Sequence, residues 1–252
     1  MCCKERYDFI FSMGEACSCS STLRRSGLQF ASYPFDWIAG LTFLERAAII
    51  QSHFDSFLNF ADLKDIGKDN GDCDNLCEVY YNQKTGLWHN HDFPIGTPLE
   101  ISFPRVEAKY RTRCNRLYQE IERAKTVLAV YIETPVQNHP FITDEEIQKG
   151  YSLLTQTFPG KQINLLYLTN RAGKFDTVKI SDNITRLYLN YKRKKLGGHD
   201  YSVDAPTLKK VFRNYRLNRS MWKRIRRYFW RFLARFIRNK IARRHFKRRH
   251  HV

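Results

Sequence analysis

Apolar residues come in short bursts whose spacing changes along the chain. Residues 127–132 (VLAVYI) and 163–168 (INLLYL) are nearly continuous apolar runs, the pattern of strands buried on both faces. Between them, residues 144–157 carry apolar side chains at helical spacing. Thr143 is placed to cap that helix, with Glu145 and Glu146 in its first turn. A strand, a helix of about four turns and a second strand form a βαβ unit, which builds a parallel sheet with a right-handed crossover. Residues 7–12 (YDFIFS) form a third strand-like run. After Gly14, residues 17–26 (CSCSSTLRRS) read as the following helix, and Gly27 suits its end.

The weaker patterns fill in the rest. Residues 41–53 and 106–125 have helical spacing. Residues 78–82 and 87–89 flank 83–86 (QKTG) as a hairpin, and 92–94 lead out of it. Residues 63–75, polar with two glycines, read as a surface loop, and 30–38 (FASYPFDWI) as an ordered aromatic one. Residues 178–181 and 185–190 suit short strands, and 206–215 begins a helix. The fold class expected is α/β: a Rossmann-like sheet with a parallel βαβ unit in one domain, residues 1–216, and a basic amphipathic helical tail, residues 217–252. Ligands of open α/β sheets bind outside the carboxyl ends of the strands. If residues 7–12 join the sheet, the Gly14–Cys17 turn lies on that edge.

Charge separates body from tail. The net charge is +18, yet residues 1–204 hold 25 basic and 25 acidic residues, and residues 205–252 hold 18 basic and no acidic ones. On a helix, Trp222, Ile225, Phe229, Phe232, Leu233 and Phe236 share one face. Arg224, Arg227, Arg231, Arg235 and Arg238 share the other. A strong apolar moment with arginine flanks describes a helix lying in an anionic membrane surface. Packing on the body and phosphate binding are the competing readings. A neutral body without a recognition motif argues against nucleic acid. No stretch is long and apolar enough to span a bilayer, and charges in MCCKERYDF occupy the place of a signal peptide's apolar region. Seven unevenly spaced cysteines then read as reduced, in a cytoplasmic protein at the inner face of the membrane.

Two places carry candidate chemistry. A thiol attacks as its thiolate, and a helix N-terminus favours that anion, so Cys17 is placed to be a nucleophile. Gly14 permits a tight turn whose N–H groups can hold an oxyanion. The base expected near pH 7 is His91 in Trp88-His89-Asn90-His91-Asp92-Phe93, with His89 its competitor. Asp36, Asp92, Asn90 and Asp200 are open as the group that orients the imidazole. Buried cysteines are more often packing than nucleophiles, which is the reading for Cys19. Cys73 and Cys77 offer half a zinc site without an evident second pair, so no metal and no cofactor are expected. A carbohydrate- or envelope-precursor enzyme using Asp36, His91, Asp92 and Asp200, and a non-catalytic binding protein, stay open as alternatives.

These stretches resemble a bacterial family of uncharacterised proteins described as papain-like cysteine peptidases. The residues that carry the resemblance are Ser12-x-Gly14-x-x-Cys17, Leu23-Arg24, Pro34-Phe35-Asp36-Trp37 and His91-Asp92-Phe93. A basic segment K-Y-x-x-R-x-x-R, at Lys109, Tyr110, Arg113 and Arg116, is also similar. The resemblance covers roughly residues 5–215 and is most specific in the first forty. It implies a peptide substrate, with Cys17 as nucleophile and His91 as base, in the chain order of a papain-type dyad.

Overall fold

The computed structural model describes residues 5–68, 77–133, 142–171, 175–190, 193–196, 199–203 and 205–218. Contacts separate Met1–Leu217 from Asn218–Val252, and every described element belongs to the first unit. In chain order these are β1 (Glu5–Tyr7), β2 (Phe9–Ser12), α1 (Cys17–Arg25), a 3-10 turn (Pro34–Trp37), α2 (Phe43–Gln51), a second 3-10 turn (Phe60–Asp62), β3 (Leu63–Lys68), β4 (Cys77–Asn82) and β5 (Trp88–Pro94). Then come α3 (Leu99–Arg123), β6 (Thr126–Ile132), α4 (Asp144–Thr157), β7 (Gln162–Asn170), β8 (Asp176–Ser181), β9 (Ile184–Leu189), β10 (Arg193–Leu196), β11 (His199–Val203), α5 (Ala205–Phe212) and β12 (Tyr215–Leu217).

The protein is mixed α/β. Its main sheet has the order β2-β6-β7-β9-β8, with β2, β6, β7 and β9 parallel and β8 antiparallel at the edge. The βαβ unit β6–α4–β7 is present, and Thr143 caps α4 reciprocally with Glu146. The described parallel strands cross the sheet in chain order, so no order reversal falls among them. Alternation in the pleat sends side chains to two cores. Phe9, Phe11, Val127, Ala129, Tyr131, Ile163, Leu165 and Tyr167 pack with Phe43, Ala47 and Ile50 of α2, Leu117 and Ile121 of α3, and Ile147 and Leu154 of α4. Ile10, Leu128, Val130, Ile132, Leu166 and Leu168 pack with Cys19 and Leu23 of α1 and Leu208 and Phe212 of α5. The sheet is thus covered by helices on both faces.

Four elements differ from expectation. The run 7–12 breaks at Asp8, whose carboxylate accepts the N–H groups of Lys125 and Thr126 at the start of β6. The part before the break, β1, pairs in parallel with β12 instead of extending β2. Residues 63–68, expected as loop, form the edge strand β3 of a small antiparallel sheet β3-β4-β5. Helix α3 starts seven residues before the expected Val106 and contains Pro104. The carbonyl that Pro104 leaves without its donor belongs to exposed Glu100, where water can satisfy it. Finally, β5 runs through 92–94, so His91 lies in a strand and not in the loop after it.

Candidate active site

The turn between β2 and α1 follows the edge of β6. Met13 N–H donates to Val130 O at 2.8 Å and Glu15 N–H to Ile132 O at 3.4 Å. Gly14 is required by close approach, because a Cβ there would sit 2.3 Å from Cys19 Cβ and 2.8 Å from Cys19 Sγ. Behind the turn lies Arg46 of α2, fully buried. Its guanidinium donates to Gly14 O (2.6 Å), Glu15 O (3.0 Å) and Gly40 O (2.5 and 3.1 Å), and it lies over the Phe35 ring at 4.9 Å. A trans peptide points its N–H opposite its C=O. Drawing the Glu15 carbonyl to Arg46 therefore turns the Ala16 N–H away from Arg46.

Helix α1 begins at Cys17, and its N-cap residue Ala16 offers no side-chain cap. The two cysteines of this helix have different surroundings. Cys17 is half-buried at the helix start. Cys19 is fully buried, donates to Val130 O at 3.4 Å, and burial pushes its thiol up to about 12. One turn on, the Ser20 hydroxyl lies 3.1 Å from Cys17 O and 2.8 Å from Asp36 O, tying α1 to the Pro34–Trp37 turn. Of that turn, Pro34, Phe35 and Asp36 are buried. Trp37 is the half-buried member that a ligand could touch.

Asp36 Oδ2 accepts from Arg24 Nη2 (2.8 Å), Gln29 Nε2 (2.6 Å) and the Tyr33 N–H (3.0 Å). Burial raises its carboxyl pKa against the pull of these three donors. Gln29 in turn accepts from the Ser12 N–H at 3.2 Å, so the same network reaches the end of β2.

His91 faces this assembly from β5. Its ring meets the Trp37 ring edge-on at 6.1 Å between centroids, and the Arg24 guanidinium lies 5.5 Å over Trp37. The β4–β5 register pairs Tyr80 with His89 and Glu78 with Phe93, leaving Asn90, His91 and Asp92 opposite Val79. This bulge re-aims the side chains. His89 and Asp92 both enter the core, and half-buried His91 meets Trp37.

His89 is sealed, with Nδ1 3.0 Å from Asp92 Oδ2 and its ring against Tyr110 and Phe93. Asp92 also takes the Lys109 ammonium on Oδ1 at 2.5 Å and the Tyr110 hydroxyl on Oδ2 at 2.5 Å. Burial pushes the Asp92 carboxyl up, but the His89 hydrogen bond and charge and the Lys109 ammonium outweigh it. They hold the carboxyl well below the usual carboxylate range.

A family model described as "Putative papain-like cysteine peptidase (DUF1796)" matches residues 8–157, from β2 to the end of α4. The chain belongs to this family. The family match therefore contains Gly14, Cys17, Asp36, Arg46, His91, Asp92 and Lys109, and ends before β7. A relative, "Uncharacterized protein R408" of Acanthamoeba polyphaga mimivirus, is 28% identical over 131 residues. That alignment covers 47% of this chain and 59% of the relative, so the chain spans less than two thirds of that protein. This relative is viral, whereas the resemblance implied a bacterial family. No solved structure matches the chain.

Arg46, Gln29 and the Lys109–Tyr110 pair were not foreseen as parts of the site. Arg46 had a signal: it falls on the apolar face of its helix, with Phe43, Ala47 and Ile50. Among the described residues no cluster could hold a metal ion, and no helix is long and apolar enough to cross a membrane. Cys73 and the tail residues Trp222, Arg224, Arg227, Phe229, Arg231, Phe232, Arg235 and Phe236 lie outside the described residues, as does the side chain of Asp200.

Proposed function

We propose that this protein is a thiol-dependent hydrolase of the papain-like kind, with Cys17 as nucleophile and His91 as general base. The observation that carries the reading is half-buried Cys17 at the start of a helix with no side-chain cap, on a turn fixed by Arg46. Helix N–H groups and the helix dipole favour the thiolate there. The Rossmann-like reading of the sheet enters through this one unit, in which a glycine turn delivers a helix N-terminus to the carboxyl edge.

In the proposed reaction the Cys17 thiolate attacks a peptide carbonyl carbon, and the N–H groups of Ala16 and Cys17 receive the oxyanion. Protonated His91 gives its proton to the leaving amine. Neutral His91 then takes a proton from the water that attacks the thioester, and the acid and Cys17 thiol are released. Asp36 and Asp92 support the site as carboxylates that hold the Trp37 turn and the β5 bulge. The tail, by its sequence pattern, rests on an anionic membrane surface at the inner face of the membrane. The liposome-bound fraction should fall when the chain ends at Arg219, and equal pelleting would refute this part.

The test is the alkylation rate of Cys17 by iodoacetamide from pH 4 to 9, mapped by mass spectrometry in wild type and His91→Gln. Wild type should react well below the ordinary thiol pKa of about 8.5, and His91→Gln should lose that acid-side reactivity. A Cys17 that titrates as an ordinary thiol, or a profile unchanged by His91→Gln, overturns the proposal.

A further inference from the structure

We propose that one face of α3 acts as a ruler that sets His91 against Trp37, with Lys109, Tyr110 and Arg116 as positioning residues. The inference rests on the reading of His91 as the base. It concerns the segment Lys109-Tyr110-x-x-Arg113-x-x-Arg116, to which the reaction itself gives no role.

His91 stands in a bulge, where three residues face one partner and the ladder no longer dictates side-chain direction. Something else must fix the strand. His89 and Asp92 clip together across the bulge, and Asp92 is then held to α3 by Lys109 and Tyr110. With both flanking side chains drawn inward, His91 is left to face Trp37.

The opposite wall is held by the same helix. Arg116 Nη1 donates to Ser32 O at 2.7 Å. The Ser32 hydroxyl accepts from Trp37 Nε1 (3.3 Å) and from Arg24 Nη2 (3.1 Å). Lys109 and Arg116 are two helical turns apart on one face, about 10.5 Å along the axis. Between them Arg113 lies over the Tyr110 ring at 5.1 Å and completes the row. A backbone bridge joins the two walls directly, Ala39 N–H to Trp88 O (3.0 Å) and Trp88 N–H to Ala39 O (2.9 Å). Beyond that bridge, the spacing between His91 and the Trp37 ring is held by the rigid helix behind both. Two neighbouring motifs on different elements, the basic segment of α3 and His91-Asp92-Phe93 of β5, become parts of one device.

The experiment uses full-length Lys109→Met, Lys109→Arg, Arg116→Gln and Arg116→Lys. Three readouts are taken: melting temperature, Cys17 alkylation rate at neutral pH, and the His91 ring-proton shifts, assigned by loss of the signal in His91→Gln. Trp37 shifts those protons by its ring current. Lys109→Met and Arg116→Gln should each move the His91 shifts toward free histidine and slow Cys17 at least tenfold, and the Arg and Lys variants should restore both.

Arg116 bonds only a backbone carbonyl in this network, so its variants keep the test open if Lys109→Met fails to fold. A fall in melting temperature with unchanged His91 shifts means a merely structural role and overturns the ruler. If wild-type Cys17 itself reacts as an ordinary thiol, the proposed function fails. The His91 shifts then still decide the ruler.

Discussion

The sharpest consequence concerns Arg46→Met. Methionine keeps much of the side-chain volume but removes every donor. The wild-type guanidinium serves three carbonyls, of which Gly14 O and Glu15 O are buried and Gly40 O is partly accessible. A buried carbonyl left unsatisfied costs about 1–3 kcal/mol, so the first two together cost about 2–6 kcal/mol. Against this stands the relief of no longer burying a charge; burial is what lowers the Arg46 pKa. We expect a net loss of about 2–4 kcal/mol. Arg46→Lys keeps the charge without the planar fork and should fall between. Urea unfolding at constant m-value measures the loss. Because the same bonds fix the turn before Cys17, alkylation of Cys17 should slow in both variants. A loss below about 0.5 kcal/mol with unchanged Cys17 reactivity would refute the view that Arg46 is the clamp of this turn.

Gly14→Ala should destabilise by about 1–3 kcal/mol by overpacking, read as a lower urea midpoint, since its Cβ collides with Cys19. In the native protein at pH 8, iodoacetamide should label Cys17 and spare Cys19 and Cys114, whose thiols burial pushes up to about 12; unfolding should release both. The advantage of wild type over Asp92→Asn should be full above the unfolded carboxylate range, near pH 4, and shrink as pH falls toward the depressed folded value. Asp36→Asn should behave oppositely, because its folded pKa is raised: the wild-type advantage is largest at low pH and declines as pH rises through that raised value. Urea midpoints from pH 3 to 8 check both signs.

What could be read from sequence was local. The runs 127–132 and 163–168 became β6 and β7 because a strand buried on both faces leaves a solid apolar signature. Thr143 was legible as a cap because its partner Glu146 is three residues away. The Gly14–Cys17 turn was legible as a glycine ahead of a helix start, but its supports, Arg46 and the β6 carbonyls, were not, because they lie far along the chain. β3 was not, since Lys64, Asp65 and Ile66 are all exposed on an edge strand and leave no alternation to read. The start of α3 was hidden by Pro104. The sorting of His89 inward and His91 toward Trp37 was also hidden, because it depends on a bulge set by β4 and on donors from α3. Arg46 spends its bonds on backbone carbonyls, and every residue has one, so no side-chain pairing in the sequence could have revealed its targets.

The turn before Cys17 is hung on β6 by the Val130 and Ile132 carbonyls, and β1 closes on β12. A chain emerging from the ribosome has neither partner when Cys17 appears. The turn cannot be seated until the chain has grown by more than a hundred residues, and β1 waits until nearly the whole body is made. Such distant pairings form late. A nascent or truncated chain that ends before β6 therefore lacks the carbonyls that seat the Cys17 turn. If Cys17 is the nucleophile proposed above, this chain topology withholds its seated turn until β6 has been made.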